Sequence, residues 1–283
     1  MILHLKYFGT AAAEGVPGMF CTCGVCEDSR RLGGRNIRTR SQALVDGRLL
    51  IDFPPDTYYH CLAGGLDLPS ITACVLTHSH QDHLYAGDFE NRKPGFAYSG
   101  AENAPLAAPL RIYATSKAME AVRAVDKDRL EARGVIEPHE IVPCESFQVD
   151  DFTVTALPAD HSAASGPVIY CIARGGKTML YANDTGWFPD AAWAYLEKSN
   201  IKFDYISLDC TGMVREDYRR GHMALPANAE VRTRLLALGL ADERTLFCCH
   251  HFSHNGGLTH DAFVPLAARE GFLASYDGME VSF

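Results

Sequence analysis

Residues 77–83 read Thr-His-Ser-His-Gln-Asp-His, which places His78, His80, Asp82 and His83 within one short segment. Neutral imidazole and carboxylate are good ligands for zinc and related divalent ions, and close spacing lets one loop present all four at small ordering cost. Two divalent ions can share such a loop. Held a few ångströms apart, they lower the pKa of a shared water and neutralise phosphoryl oxygens, so the motif points to a hydrolytic dinuclear centre. Against the alternative, a polar surface loop with chance histidines, stands the apolar run that precedes it, Ala73 to Leu76. A second cluster, Cys21-Thr22-Cys23-Gly24-Val25-Cys26, offers three thiols at the spacing of a metal knuckle. A structural zinc takes four ligands and commonly accepts a histidine as the last, which His254 can supply; reduced thiols or a redox pair are the alternatives.

These groups need elements to carry them. Ala73 to Thr77 is read as a buried strand that ends in the histidine motif, so the ligands sit on a loop. Leu3 to Phe8 reads as a strand, and Gln42 to Phe53 as a hairpin turning at Asp46-Gly47, a dipeptide suited to positive φ. Further strands are expected at Phe152–Leu157, Val168–Ala173 and Thr178–Ala182, with Gly175-Gly176 as a turn, then at Phe203–Leu208 and Thr245–Cys249. Helical spacing recurs at Met119, Val122 and Val125 within 117–133, over Ala191–Lys198, and at Val231, Leu235 and Leu238 before Gly239. Strands and helices in both halves fit an α/β chain with two sheets face to face and helices outside. No repeat or low-complexity linker divides it, so one domain spanning 1–283 is expected.

The 283 residues carry 26 basic and 35 acidic side chains, a net charge of −9, which argues against broad neutralisation of a nucleic-acid backbone. Arg30, Arg31, Arg35, Arg38 and Arg40 form one basic stretch and Arg215, Arg219 and Arg220 another. A guanidinium fork can hold phosphate, but a solvated surface is the commoner use of such residues. Met1 to Thr10 lacks the basic and apolar regions of a secretion signal, and no run of about 18 apolar residues suggests a membrane span. The expected location is the cytoplasm, where the ten cysteines would be reduced or metal-bound.

Thr-His-x-His-x-Asp-His after an apolar strand resembles the signature of the metallo-β-lactamase superfamily. The resemblance implies an αββα sandwich of two mixed sheets, with His78 and His80 on one metal and Asp82 and His83 on the other. It also implies three ligands downstream. His161 follows a strand, Asp184 lies in the turn-forming Asn183-Asp184-Thr185-Gly186 and would bridge both metals, and the last lies in Cys249-His250-His251-Phe252-Ser253-His254. There His251 is favoured as ligand, His250 is its competitor, and His254 is left for the cysteines. Gly15-Val16-Pro17, the cysteine cluster and Tyr276-Asp277-Gly278-Met279-Glu280 narrow the resemblance to the phosphoribosyl cyclic phosphate phosphodiesterases, over nearly the whole chain.

That narrower resemblance implies two catalytic ions, zinc or manganese, one structural zinc, a small phosphorylated substrate such as a cyclic phosphate or cyclic nucleotide, and is compatible with a homodimer. Asp82 and His222 are the expected catalytic residues, His222 protonating the departing sugar oxygen. The sequence around His222 departs from the family's pattern, which leaves the substrate open. The same chemistry could serve a lactone or thioester hydrolase, and pyrroloquinoline quinone protein B shares the N-terminal pattern.

Overall fold

The computed structural model describes residues 2–283 apart from 101, 103, 105, 107 and 126–128. Two seven-stranded mixed sheets face one another. The first contains β1 (His4–Gly9), β2 (Gln42–Val45), β3 (Leu49–Ile51), β4 (Ala73–Val75), β5 (Leu110–Ala114), β6 (Ile136–Glu140) and β14 (Glu280–Ser282), in the order β14-β1-β2-β3-β4-β5-β6. The second contains β7 (Ser146–Val149), β8 (Phe152–Pro158), β9 (Val168–Arg174), β10 (Lys177–Ala182), β11 (Tyr205–Asp209), β12 (Leu246–His250) and β13 (Phe272–Ala274), in the order β13-β12-β11-β10-β9-β8-β7.

Alternation along the strands creates three apolar layers, because successive side chains face opposite sides of a sheet. Between the sheets lie Leu5, Tyr7, Val45, Ile51 and Val75 from the first, against Val154, Tyr170, Ile172, Met179 and Tyr181 from the second. The buried Tyr7 hydroxyl meets Ser207 Oγ at 2.8 Å and the Tyr205 hydroxyl at 2.9 Å, so polar groups in this layer are paired across it. On the outer face of the first sheet, Leu50, Cys74 and Ile112 pack under α3 (Ser116–Ala124) and α4 (Arg129–Ala132). On the outer face of the second, Leu180, Ile206 and Phe247 pack under α5 (Asp190–Lys198), α6 (Leu225–Ala237) and α7 (His260–Arg269). This is the expected αββα sandwich.

Two helical expectations need correction. The helix expected through 117–133 ends at Ala124, and the chain resumes helix only at Arg129, with part of the intervening stretch outside the described residues. Leu238 is not a core position: it caps α6 and is exposed, while Gly239, at φ 70°, turns the chain so that Leu240 takes the buried place. The hairpin turns where expected, with Asp46 and Gly47 both at positive φ.

In the first sheet β3, β4 and β5 run parallel, as do β10, β11 and β12 in the second, so their C-terminal ends meet at one edge of the sandwich. Loops leaving those ends can therefore converge. Among the described residues no helix is long and apolar enough to cross a membrane.

Candidate metal centre

Asp52 directly follows β3 and adopts φ 67°, a left-handed conformation that turns its carboxylate toward the neighbouring strand end. There it accepts hydrogen bonds from Thr77 N at 2.7 Å, from Thr77 Oγ1, and from His83 Nδ1 at 2.6 Å. With Nδ1 donating to Asp52, the neutral imidazole of His83 presents its Nε2 lone pair to the site, the arrangement a carboxylate imposes on metal-binding histidines. Sequence reasoning missed Asp52. The available signal was a carboxylate closing the apolar run Leu49-Leu50-Ile51.

His78, His80 and His161 bring one nitrogen each into a cluster whose ligand atoms lie within 4.8 Å of one another. His80 Nδ1 stands 3.0 Å from His78 Nε2 and 3.1 Å from His161 Nε2. Asp82, His83 and His251 form a second cluster of the same kind. Asp184 lies between the two: Oδ2 is 2.8 Å from His83 Nε2 and 3.0 Å from His251 Nε2, while Oδ1 is 3.8 Å from His161 Nε2. Asp184 sits at φ 44° and His251 at φ 60°, so the turn and the site coincide at both residues.

The donor set fits divalent cations. Asp184 Oδ2 is buried and receives no directed hydrogen bond, although two imidazole nitrogens stand within 3.0 Å of it. A carboxylate oxygen and two imidazole nitrogens that crowd one point without a directed hydrogen bond are what a cation would satisfy. Electrostatics agree: burial opposes charge on His83, yet Asp184, Asp82 and Asp52 outweigh it and raise its pKa well above the ordinary value. A metal would supply that positive charge with the imidazole neutral.

His250 and His251 face different ways because the strand ends between them. His250 ends β12 facing the inter-sheet layer, where it meets Ser41 Oγ and Ser275 Oγ at 2.9 Å each and packs on Tyr7. His251, turned by its positive φ, faces the cluster. The structure thus brings His251 and not His250 to the metal side.

Beside the clusters lies a cleft of about 260 Å³ lined in part by His80, Asp82, His161, Asp184, His222 and His251. His222 Nδ1 is 2.8 Å from Asp209 Oδ2 and 3.2 Å from Thr211 Oγ1, so Nε2 is the nitrogen left for the cleft. Asp209, wholly buried at the end of β11, also accepts from the Thr211 and Met223 amides at 2.9 and 3.0 Å. Burial disfavours charge on His222, but the Asp209 carboxylate outweighs it and raises the pKa to about 9. Asp209 and Thr211 were missed in the sequence, where only the strand before them was visible.

Cys21, Cys23, Cys26 and His254 also converge within 4.8 Å, and all ten cysteines are unpaired. His254 Nδ1 lies 3.8 Å from Cys21 Sγ and 3.6 Å from Cys23 Sγ. Cys23 precedes α1 (Gly24–Leu32), and the Cys26 amide directed at its sulfur lowers its pKa to about 7, whereas burial raises Cys26 to about 12. The arginine stretches are engaged elsewhere. Arg30, Arg31 and Arg40 pair with Glu27, Asp28 and Asp56, Arg215, Arg219 and Arg220 with Asp217, Glu230 and Asp160, Arg35 lies over Tyr276, and Arg38 is buried.

A profile of the β-lactamase superfamily domain matches residues 48–251, from before Asp52 through His251. The chain belongs to that superfamily, the metallo-β-lactamase-fold hydrolases. Its fold is similar to that of a diphosphatase from the PhnP family, at 23% identity over 100% of this chain and 98% of that one, with a TM-score of 0.73. Zinc-bound PqqB from Methylobacterium extorquens is similar at 22% identity over 98% and 99% of the two chains, also with a TM-score of 0.73. The short form of human tRNase Z is similar at 16% identity over 98% of each chain, with a TM-score of 0.61. A comparison with curated proteins finds no match.

Proposed function

We propose that this superfamily member is a metal-dependent phosphodiesterase that hydrolyses a small cyclic phosphate ester. The observation that carries the reading is His222, a histidine fixed through Nδ1 to buried Asp209 and lining the same cleft as the clustered donors His80, Asp82, His161, Asp184 and His251. His78, His80 and His161 would hold one divalent ion, Asp82, His83 and His251 the other, and Asp184 both; zinc and manganese suit these donors. Such ions supply Lewis acidity toward phosphoryl oxygens and water activation near neutral pH.

The chain's own residues do the rest. Asp52 fixes the His83 tautomer, and Thr211 Oγ1, 3.0 Å from His251 Nδ1, orients His251. His222 donates a proton from Nε2 to the departing oxygen, and Asp209 holds the ring in that orientation and stabilises its charged form. The cleft volume suits a small molecule. Relatives whose names denote a diphosphatase and a tRNA nuclease support phosphorus–oxygen bond cleavage. The complete donor set supports hydrolysis over a non-hydrolytic cofactor-biosynthesis role, and the cysteine cluster with His254 suits a structural zinc.

The test is elemental analysis with hydrolysis of bis(p-nitrophenyl) phosphate by wild type and Asp184→Ala. About three metals per chain, with activity present in the wild type and lost in the variant, are expected. One tightly held zinc and no phosphodiesterase activity after manganese addition would overturn the reading. Lactone, thioester and phosphodiester substrates assayed side by side separate the carbonyl alternatives.

A further inference from the structure

Glu14 lines the catalytic cleft, together with Ser253 and Asn255. Its Oε1 accepts from the Ser253 hydroxyl and from Asn255 Nδ2 at 3.2 Å, and His254 Nε2 stands 3.7 Å from the same atom. All three contacts fall on Oε1, which leaves Oε2 for a ligand. The loop that carries Glu14 is tied to the segment after His251 by the backbone, through Ala12 N to Phe252 O at 2.9 Å. The carboxylate is therefore held in place at the cleft wall.

The cleft's other charges give this position meaning. Among the described residues no lysine or arginine lines it, and the nearby arginine stretch at 215–220 is paired with carboxylates. The groups proposed to hold metal account for the remaining acids, so cations there would neutralise the scissile phosphate and leave Glu14 as an uncompensated negative charge. A second anionic group on the substrate would meet that carboxylate without a countercharge, whereas a hydrogen-bond donor would find an acceptor.

Resting on the phosphodiesterase reading, we infer that Glu14 is a specificity residue that selects substrates whose far end, beyond the scissile ester, carries a hydrogen-bond donor such as an ammonium or hydroxyl group and no second negative charge.

The experiment uses the metal-loaded protein and Glu14→Gln, which keeps an amide oxygen for Ser253 and Asn255 while removing the charge. Turnover is measured on three p-nitrophenyl phosphodiesters that share one leaving group and carry 2-aminoethyl, 2-hydroxyethyl or carboxymethyl as the second ester. In parallel, calorimetry reads equilibrium binding of phosphoethanolamine and phosphoglycolate, and elemental analysis verifies that both proteins hold equal metal. For the wild type kcat/KM should fall from aminoethyl to carboxymethyl by at least about tenfold, and phosphoethanolamine should bind the tighter of the two by a similar factor. In Glu14→Gln both ratios should collapse toward one, through KM rather than kcat. Unchanged ratios, or an equal fall on all three esters, would overturn the inference. A wild type that turns over none of the esters yet still prefers phosphoethanolamine, and loses that preference in Glu14→Gln, would retain the charge filter while removing the phosphodiesterase reading.

Discussion

The two donor clusters are built in opposite ways. The donors proposed for the catalytic ions come from His78 to His251, from the strand ends of both sheets, and His78, His83, Asp184 and His251 are all buried. Three of the four knuckle donors fall between Cys21 and Cys26, Cys23 is exposed, and Cys21 and His254 are half-buried. Dispersed donors are positioned by the whole fold before any ion arrives. Local donors on a loop are ordered chiefly by the ion they bind. A fold-positioned site can store left-handed backbone at Asp52, Asp184 and His251 because two sheets hold those residues in place.

That contrast is sharpened most by His222. His222→Ala should keep its metals yet lose about 10²–10⁴-fold in kcat on a cyclic alkyl phosphate, and far less on a p-nitrophenyl ester, whose leaving group needs little protonation. Equal losses on both substrates would remove the acid role. An acid must be protonated to act, so the wild-type rate on the alkyl ester should fall as pH rises through a value near 9, and that limb should vanish in the variant.

Next comes the fold's hold on the metal side. Asp52→Asn should weaken metal binding by about 10–100-fold, read by competition with a chelator, because His83 loses the carboxylate that fixes its tautomer. Unaltered affinity would mean that packing alone orients His83.

A third effect lies outside both clusters. His260 Nδ1 accepts from Arg38 Nη2 at 2.8 Å, so the ring is neutral, and burial, with Arg38 adding to it, lowers its pKa to about 4. The unfolded chain protonates near pH 6.5 and the folded one near 4. This site's contribution is therefore complete above about pH 6.5, is lost as pH falls, and levels off below about 4, a loss of about 3 kcal/mol. Denaturant titrations of wild type and His260→Gln from pH 7 to 4 should converge by that amount; parallel curves would contradict it.

The smallest expected effect belongs to the knuckle. Cys23→Ser should lose one metal per chain and lower Tm by about 4 °C with far-UV circular dichroism unchanged, since its order is local. Loss of the sheet signal would show that the knuckle supports the whole sandwich.

These contrasts also explain what the sequence disclosed. Ala73–Val75 and its histidine motif were legible because periodicity and chemistry coincide there, and Asp46-Gly47 because only a tight hairpin uses that dipeptide so well. Strand β6, Ile-Glu-Pro-His-Glu, lies at a sheet edge and carries no apolar alternation, and β13 and β14 have only three residues each. Helix α7 contains Pro265, which obscures a helical reading. Asp52 and Asp209 escaped because their partners, His83 and His222, are distant in sequence or across a turn, and one carboxylate after a strand does not announce which histidine it holds.

Arg174 and Asp46 form an ion pair between β9 and the β2–β3 hairpin, and Arg48 joins Asp151 across the same gap. Both lie at the edge of the sandwich away from Asp52 and Asp184. The two sheets are thus tied by charge at one edge and lined by donors from both at the other. Cations seated at that edge would draw ligands from both sheets at once, so the ions proposed for the chemistry would also fasten one sheet to the other.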